Sequence, residues 1–213
     1  MLLPLDIAIG FFGIAVLLAL SPGPDNLFVI TLSALRGVRA GLWVVLGLCS
    51  GLIVHTLAVA WGVAALFAAS ATAFTVLKLL GAAYLLYLAW GAWNAPASVP
   101  DESGSAPALP AMTPMQAWLR GVIMNLTNPK VILFFLAFLP QFSSPARGSV
   151  AVQTFLLGLI FIVAAGLTFS VLALLAGGIG QKLQHSAKAQ RWLNRSASVV
   201  FVGMAAKLLV SQR

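Results

Sequence analysis

Ser21-Pro22-Gly23-Pro24-Asp25-Asn26 puts two prolines, a glycine and a carboxylate in the middle of an apolar run from roughly Leu5 to Leu35. Such a run is long enough to cross a bilayer, which takes about 20 apolar residues. An interior proline costs a helix about 3 kcal/mol, because it lacks the N–H and its ring strikes the preceding turn. An aspartate at the bilayer centre costs about 2.5–3.5 kcal/mol on insertion scales. A segment carrying both is poor lipid-facing helix. The reading is therefore a transmembrane helix broken near its middle, with the break lining a cavity or a protein interface. Asn125-Leu126-Thr127-Asn128-Pro129-Lys130 makes a second such break inside Met115–Gln141.

The rest of the chain agrees with a membrane setting. Its 213 residues are 61% hydrophobic and 8% charged, with a mean hydropathy of +1.04. A soluble domain carries about 25% charged residues to cover its surface. A net charge of +8 would suggest a nucleic-acid partner in a soluble protein, but the basic residues here sit mostly at the ends of apolar runs. No nucleic-acid partner is expected. Cys49, the single cysteine, excludes an intramolecular disulfide and a cysteine-cluster metal site, and reads as a small packing residue. No Lys or Arg precedes the first apolar run, which also exceeds the h-region of a cleaved signal, about 7–15 residues. It is expected to remain as a helix.

Six apolar runs follow: Leu5–Leu35, Gly41–Ala69, Thr72–Trp93, Met115–Gln141, Gly148–Gly177 and Leu193–Val210. The fold class is all-α, a polytopic membrane protein of about six transmembrane helices. Asn94–Thr113 carries Pro96, Pro100, Pro107, Pro110 and the pair Asp101-Glu102, a composition that forms no core. It divides the chain into 1–93, a flexible cytoplasmic linker 94–113, and 114–213. Gln181–Arg195 reads either as an interfacial segment on anionic lipid or as a solvated loop. The halves echo each other in their breaks, in Arg39-Ala40-Gly41 against Arg147-Gly148, and in Gly81-Ala82-Ala83 against Gly203-Met204-Ala205. Three helices per half makes the copies inverted, the layout of many secondary transporters.

Arg36, Arg39, Arg120, Lys182, Lys188, Arg191 and Arg195 fall on the side reached after helices one, three and five. Arg147 and Arg213 fall on the other, where Lys78 and Lys207 would snorkel. A bias of seven to four puts both termini outside. Trp43, Trp90, Trp93, Trp118 and Trp192 lie near the cytoplasmic helix ends, as an aromatic belt requires.

At 1.5 Å per residue, Asp25 lies about 16 Å from Arg36 and Pro129 about 14 Å from Arg120. Both breaks thus fall near the midplane of a core about 30 Å thick. Asn128-Pro129 is an N-cap followed by proline at N1, and Gly23-Pro24 or Ser21-Pro22 reads alike. Two half-helix N-termini then meet at the midplane, where their N–H groups suit a carboxylate. Lys130 in a first turn is unfavourable unless a partner such as Asp25 relieves it. The bland alternative is a kinked packing helix with a buried Asp25–Lys130 pair and no ligand. His55 reads either as a proton relay or path-lining group or as a hydrogen-bonded packing residue. Thr31, Ser33 and Ser50 are expected to bond to backbone carbonyls.

At these residues the chain resembles the lysine/threonine exporter family, the LysE–RhtB type of amino-acid efflux proteins. The resemblance runs through Ser21–Asn26, Arg36-Gly37-Val38-Arg39-Ala40-Gly41, Gly81-Ala82-Ala83-Tyr84-Leu85 and Asn125–Lys130. It continues through Phe134-Phe135 and Leu139-Pro140-Gln141-Phe142. It implies export of amino acids across a bacterial inner membrane, driven by the proton gradient, with no cofactor and no catalysis. The site then comprises Pro22, Gly23, Pro24, Asp25, Asn26, His55, Asn125, Asn128, Pro129 and Lys130. Asp25 serves as proton acceptor or ammonium partner, and Lys130 as counter-ion or carboxylate contact. A buried unpaired charge is heavily penalised, so a lysine-like substrate is disfavoured against neutral threonine, homoserine or leucine. An exporter of basic amino acids or of a metal ion is the alternative reading, and a membrane enzyme a weaker one. Homo-oligomerisation stays open. The orientation is tested by fusions at the C-terminus: alkaline phosphatase is expected to be active there and green fluorescent protein dark, and the reverse pattern inverts the topology.

Overall fold

A computed structural model of the chain describes residues 3–21, 23–69, 71–94, 112–178 and 187–210. These are helical, with no strand among them. The first break separates α1 (Leu5–Leu20) from α2 (Pro24–Arg36), and α3 (Val38–Ala69) and α4 (Ala71–Asn94) follow. The second separates α5 (Pro114–Thr127) from α6 (Pro129–Leu133). α7 (Val150–Gly178) and α8 (Ala187–Val210) complete the chain.

The distribution of polarity is that of a membrane protein. Large apolar side chains point outward, Leu27, Trp61 and Trp90 among the most exposed, while Asp25, Asn26, Asn125, Asn128 and Lys130 are buried. α3 and α7 are each long and apolar enough to span a bilayer alone. α1 with α2, and α5 with Pro129–Phe142, do so as bent pairs, the second bent by 50°. α4 and α8, of 24 residues each, reach about 36 Å. The chain is an all-helical polytopic membrane protein.

Local sequence accounts for most helix ends. Thr113 and Gln116 form a reciprocal capping box ahead of Pro114 at N1 of α5. Gly37 (φ 85°) and Gly148 (φ 105°) adopt backbone angles that L side chains resist, each directly after an arginine and just before a long helix. The turn at Gly148 is held by Gln153, whose Oε1 accepts from Ser144 N at 3.0 Å and Arg147 Nε at 3.1 Å.

Two segments differ from the sequence reading. The fourth apolar run is not α-helical to Gln141: Phe134–Phe138 is a π turn and Leu139–Phe142 a 3₁₀ turn. Pro140 is the cause we assign, since it cannot donate to Leu136 and its ring would strike that carbonyl. Leu139 N instead donates five residues back, to Phe134 O. The sixth helix begins at Ala187 rather than Leu193, so residues 187–195 are helix and not loop. Its first turns hold Ala, Lys, Gln and Arg, good helix formers that an apolar scan passes over. Residues 181–186, Pro22 and linker residues 95–111 lie outside the described residues, as do the side chains of Lys78 and Lys207.

α3 packs along α5 on one side and α7 on the other; α1 and α2 lie against α7, and α4 pairs with α8. Arg195 stands over the Trp93 ring at 5.4 Å, setting the end of α4 beside the start of α8. The α3–α5 seam is a backbone contact. A Cβ on Gly47 would stand 2.0 Å from Trp118 O, and one on Gly121 2.3 Å from Val44 O. Such small residues let helices approach where lipid offers no hydrophobic drive. Gly47→Leu is therefore expected to lower the thermal midpoint in detergent by about 5–10 °C, as a core overpacking should. Gly10→Leu, with open space around its Cβ position, should leave it unchanged. An unaltered midpoint for Gly47→Leu contradicts the packing described.

Candidate functional site

α1 ends at Leu20, inside the protein, and its last carbonyls have no next turn to bond them. Ser21 N donates to Leu17 O at 3.0 Å, and Ser21 Oγ to Leu18 O at 2.8 Å. Asn26, from the next helix, donates its Nδ2 to Ala19 O at 2.6 Å. The remainder is closed from the other half of the chain. Lys130 Nζ donates to Leu18 O at 3.2 Å, Ser21 O at 3.1 Å and Ser21 Oγ at 3.2 Å. A cation is favoured there, because a helix C-terminus carries partial negative charge. The hydrogen bonds of Lys130 thus go to the end of α1.

α2 starts at Pro24 with Gly23 extended as N-cap, so of the two N-cap readings the Gly23-Pro24 one applies. Gly23 has a spatial role: a Cβ there would sit 3.0 Å from Lys130 Nζ and 3.8 Å from Asn26 Oδ1. At the second break Asn128 is the N-cap of α6, its Oδ1 accepting from Lys130 N at 3.0 Å. Asn128 N reaches back to Asn125 O at 3.2 Å. His55 Nε2 lies 3.3 Å from that same carbonyl, with its ring 5.6 Å from that of Phe135. Asn125 is packed on α3, where a Cβ on Gly51 would meet its Oδ1 at 2.7 Å. Pro24 and Pro129 occupy N1 and are exposed.

What these contacts leave over defines the site. Asp25 Oδ1, Asn26 Oδ1, Asn125 Oδ1 and Asn128 Nδ2 are buried without a hydrogen bond of good geometry in the protein, the Asn128 amide lying within reach of the Asp25 carboxyl. Each such atom ordinarily costs about 1–3 kcal/mol. The orientations of Asn26 and Asn128 follow from the bonds their other amide atoms make, so Asn26 presents an acceptor and Asn128 a donor. Charged and neutral acceptors and one donor lie on two breaks contributed by opposite halves of the sequence, Asn125 Oδ1 on the side packed against α3. Phe11, Phe134, Phe138 and Phe161 form an aromatic cluster, with Phe134 and Phe161 centroids 5.0 Å apart.

Two residues depart from what the sequence suggests. Ser21, there an alternative N-cap, supplies two of the three acceptors for Lys130. Gly51, at small-residue spacing from Gly47, makes room for Asn125 in the tight helix packing that such spacing predicts. Ser33 was expected to bond a carbonyl, as Ser50 does to Leu46 O at 2.8 Å. Its buried Oγ instead has no partner and would lie 1.8 Å from a Cβ on Gly41.

Residues 16–212 match the LysE type translocator family. The chain belongs to that family. Relatives of this translocator include the homoserine/homoserine lactone efflux protein of Salmonella typhimurium, 33% identical over 92% of each chain. The leucine efflux protein of Klebsiella pneumoniae is 32% identical over 93% of this chain and 92% of its own. An uncharacterised membrane protein of Pseudomonas aeruginosa is 32% identical over 91% and 90%. No solved structure matches the chain.

In this translocator the Asn128-Pro129 break separates α5 from α6 and aims Asn128 Nδ2 into the unpartnered cluster. Pro129→Ala restores an N–H and lets the helix run on. Export should fall by about tenfold or more while membrane abundance holds. Normal export by this variant would make the break a packing feature alone.

Proposed function

We propose that this LysE type translocator exports small neutral amino acids from the bacterial cytoplasm across the inner membrane, in exchange for protons. The observation that carries the reading is the set of buried, unpartnered polar atoms where the two breaks meet. An ammonium group needs acceptors, and Asp25 Oδ1, Asn26 Oδ1 and Asn125 Oδ1 present them. A carboxylate needs a donor, which Asn128 Nδ2 presents. Buried polar atoms are ordinarily bonded, so a group of four at the breaks supports a ligand there.

The charge count favours a zwitterion. Asp25 and Lys130 already balance, so a neutral amino acid adds no net charge, whereas a lysine-like substrate adds a cation to a low-dielectric site. Relatives named for homoserine and for leucine efflux point the same way. A metal-ion exporter would want several acids, His or Cys together, and the breaks offer Asp25 with His55 nearby. Asp25 is the group we assign to proton exchange, and His55, against Asn125 O, lines the route to it.

Alternating access suits the arrangement of elements. α3 lies on α5 as α7 lies on α1 and α2, while α4 and α8 pair with each other. Exchanging the halves reproduces that pattern, which supports an inverted repeat of 1–93 and 114–213. The Arg-Gly turns at Arg36-Gly37 and Arg147-Gly148 support it too, and replace the Arg39-Ala40-Gly41 match as the register of the echo. Both termini are placed outside by the basic bias.

The test is export of labelled threonine, homoserine and leucine from a strain lacking its own exporters. Asp25→Asn should reduce pH-driven export to background, because the amide neither carries a proton nor balances an ammonium. In inverted vesicles at fixed proton gradient, excess homoserine or leucine should block uptake and lysine should not. Block by lysine alone would assign the chain to basic amino acids.

A further inference from the structure

We propose that Lys130 is a positioning residue that closes the end of α1, and that the substrate carboxylate is met by Asn128 Nδ2 instead. The sequence alone makes Lys130 the obvious carboxylate ligand, since it is a buried cation beside the break. The geometry argues otherwise. An ammonium has three N–H groups, and all three have acceptors on α1: Leu18 O, Ser21 O and Ser21 Oγ. Turning Lys130 toward a carboxylate would leave Ser21 O without its donor, and Leu18 O with Ser21 alone, in a region where water does not supply another.

The neighbouring residues are arranged around that closure. Gly23 leaves the space that Lys130 Nζ occupies, and Asn26 takes Ala19 O, the next carbonyl along. Lys130 N is also engaged, by Asn128 Oδ1. The other amide atom of Asn128, Nδ2, is then the donor among the unpartnered atoms, buried and with the Asp25 carboxyl as its neighbour. A strut and a ligand thus lie two residues apart on one break, and they separate experimentally.

The carboxylate assignment rests on the amino-acid reading above; the strut does not. Full-length protein in nanodiscs, without substrate, is followed by hydrogen–deuterium exchange over Leu17–Gly23. Lys130→Met should speed exchange there by about tenfold or more, the loss expected for hydrogen bonds to a charged group. Should that variant fail to accumulate, Ser21→Ala removes one acceptor and should give a smaller rise in the same peptide. Unchanged exchange in the variant measured overturns the strut.

The second arm measures competition by homoserine and by homoserine lactone, which lacks the free carboxylate. Asn128→Asp keeps the cap oxygen but replaces the donor, and should weaken homoserine about tenfold relative to the lactone. Lys130→Arg, which keeps the charge but moves its donors, should leave that ratio within about twofold of wild type. The opposite pattern, with the ratio moved by Lys130→Arg and not by Asn128→Asp, makes Lys130 the carboxylate ligand. If wild type binds no amino acid at all, the proposed function falls and the exchange result still decides the strut.

Discussion

Hydrocarbon offers a helix end nothing to bond to, so a helix that stops inside a bilayer must be closed by the protein itself. α1 stops there. Its closure draws on Ser21 from its own cap, Asn26 from the following helix and Lys130 from more than a hundred residues away. Much of the interior follows from this. Gly23 suits this closure, because a Cβ there would stand 3.0 Å from Lys130 Nζ. α6 must start where it does, because Lys130 is its second residue. The two halves of the sequence are thereby fixed against each other at the level of their breaks.

A buried cation is weak evidence for stability, since desolvation offsets most of what pairing returns. Its contribution here is better described as arrangement. With Lys130 and Asn26 Nδ2 committed to α1, the atoms left unbonded are Asp25 Oδ1, Asn26 Oδ1, Asn125 Oδ1 and Asn128 Nδ2. The glycine seam between α3 and α5 and the Gly51–Asn125 contact hold the second break at the same depth. The same economy of donors that closes α1 therefore leaves a mixed set of acceptors and a donor for something else.

Much of this was legible in the sequence because it depends on local chemistry. Apolar run length gave the spans, and Gly23-Pro24 and Asn128-Pro129 announced the helix starts through the fixed φ of proline and the cap oxygen of Asn128. The residues that escaped depend on distance. Nothing near Lys130 in the chain says that its hydrogen-bond acceptors are Leu18 and Ser21. Ser33 matters only through neighbours on other helices. The π turn at Phe134–Phe138 had a local signal in Pro140, but whether a helix widens or stops at a proline depends on the rings packed around it. The start of α8 escaped because hydropathy marks the lipid-facing part of a helix and not its length.

The account's central claim is that the substrate's ammonium sits between the two breaks, against Asp25. Solid-state NMR on the protein in lipid, with an isotope-labelled ammonium nitrogen on bound homoserine and a labelled Asp25 Cγ, measures that contact. A nitrogen–carbon separation of about 4 Å or less is expected, as for an ammonium hydrogen-bonded to a carboxylate. Saturable homoserine binding with no dipolar coupling between those two nuclei would place the substrate elsewhere and contradict the account.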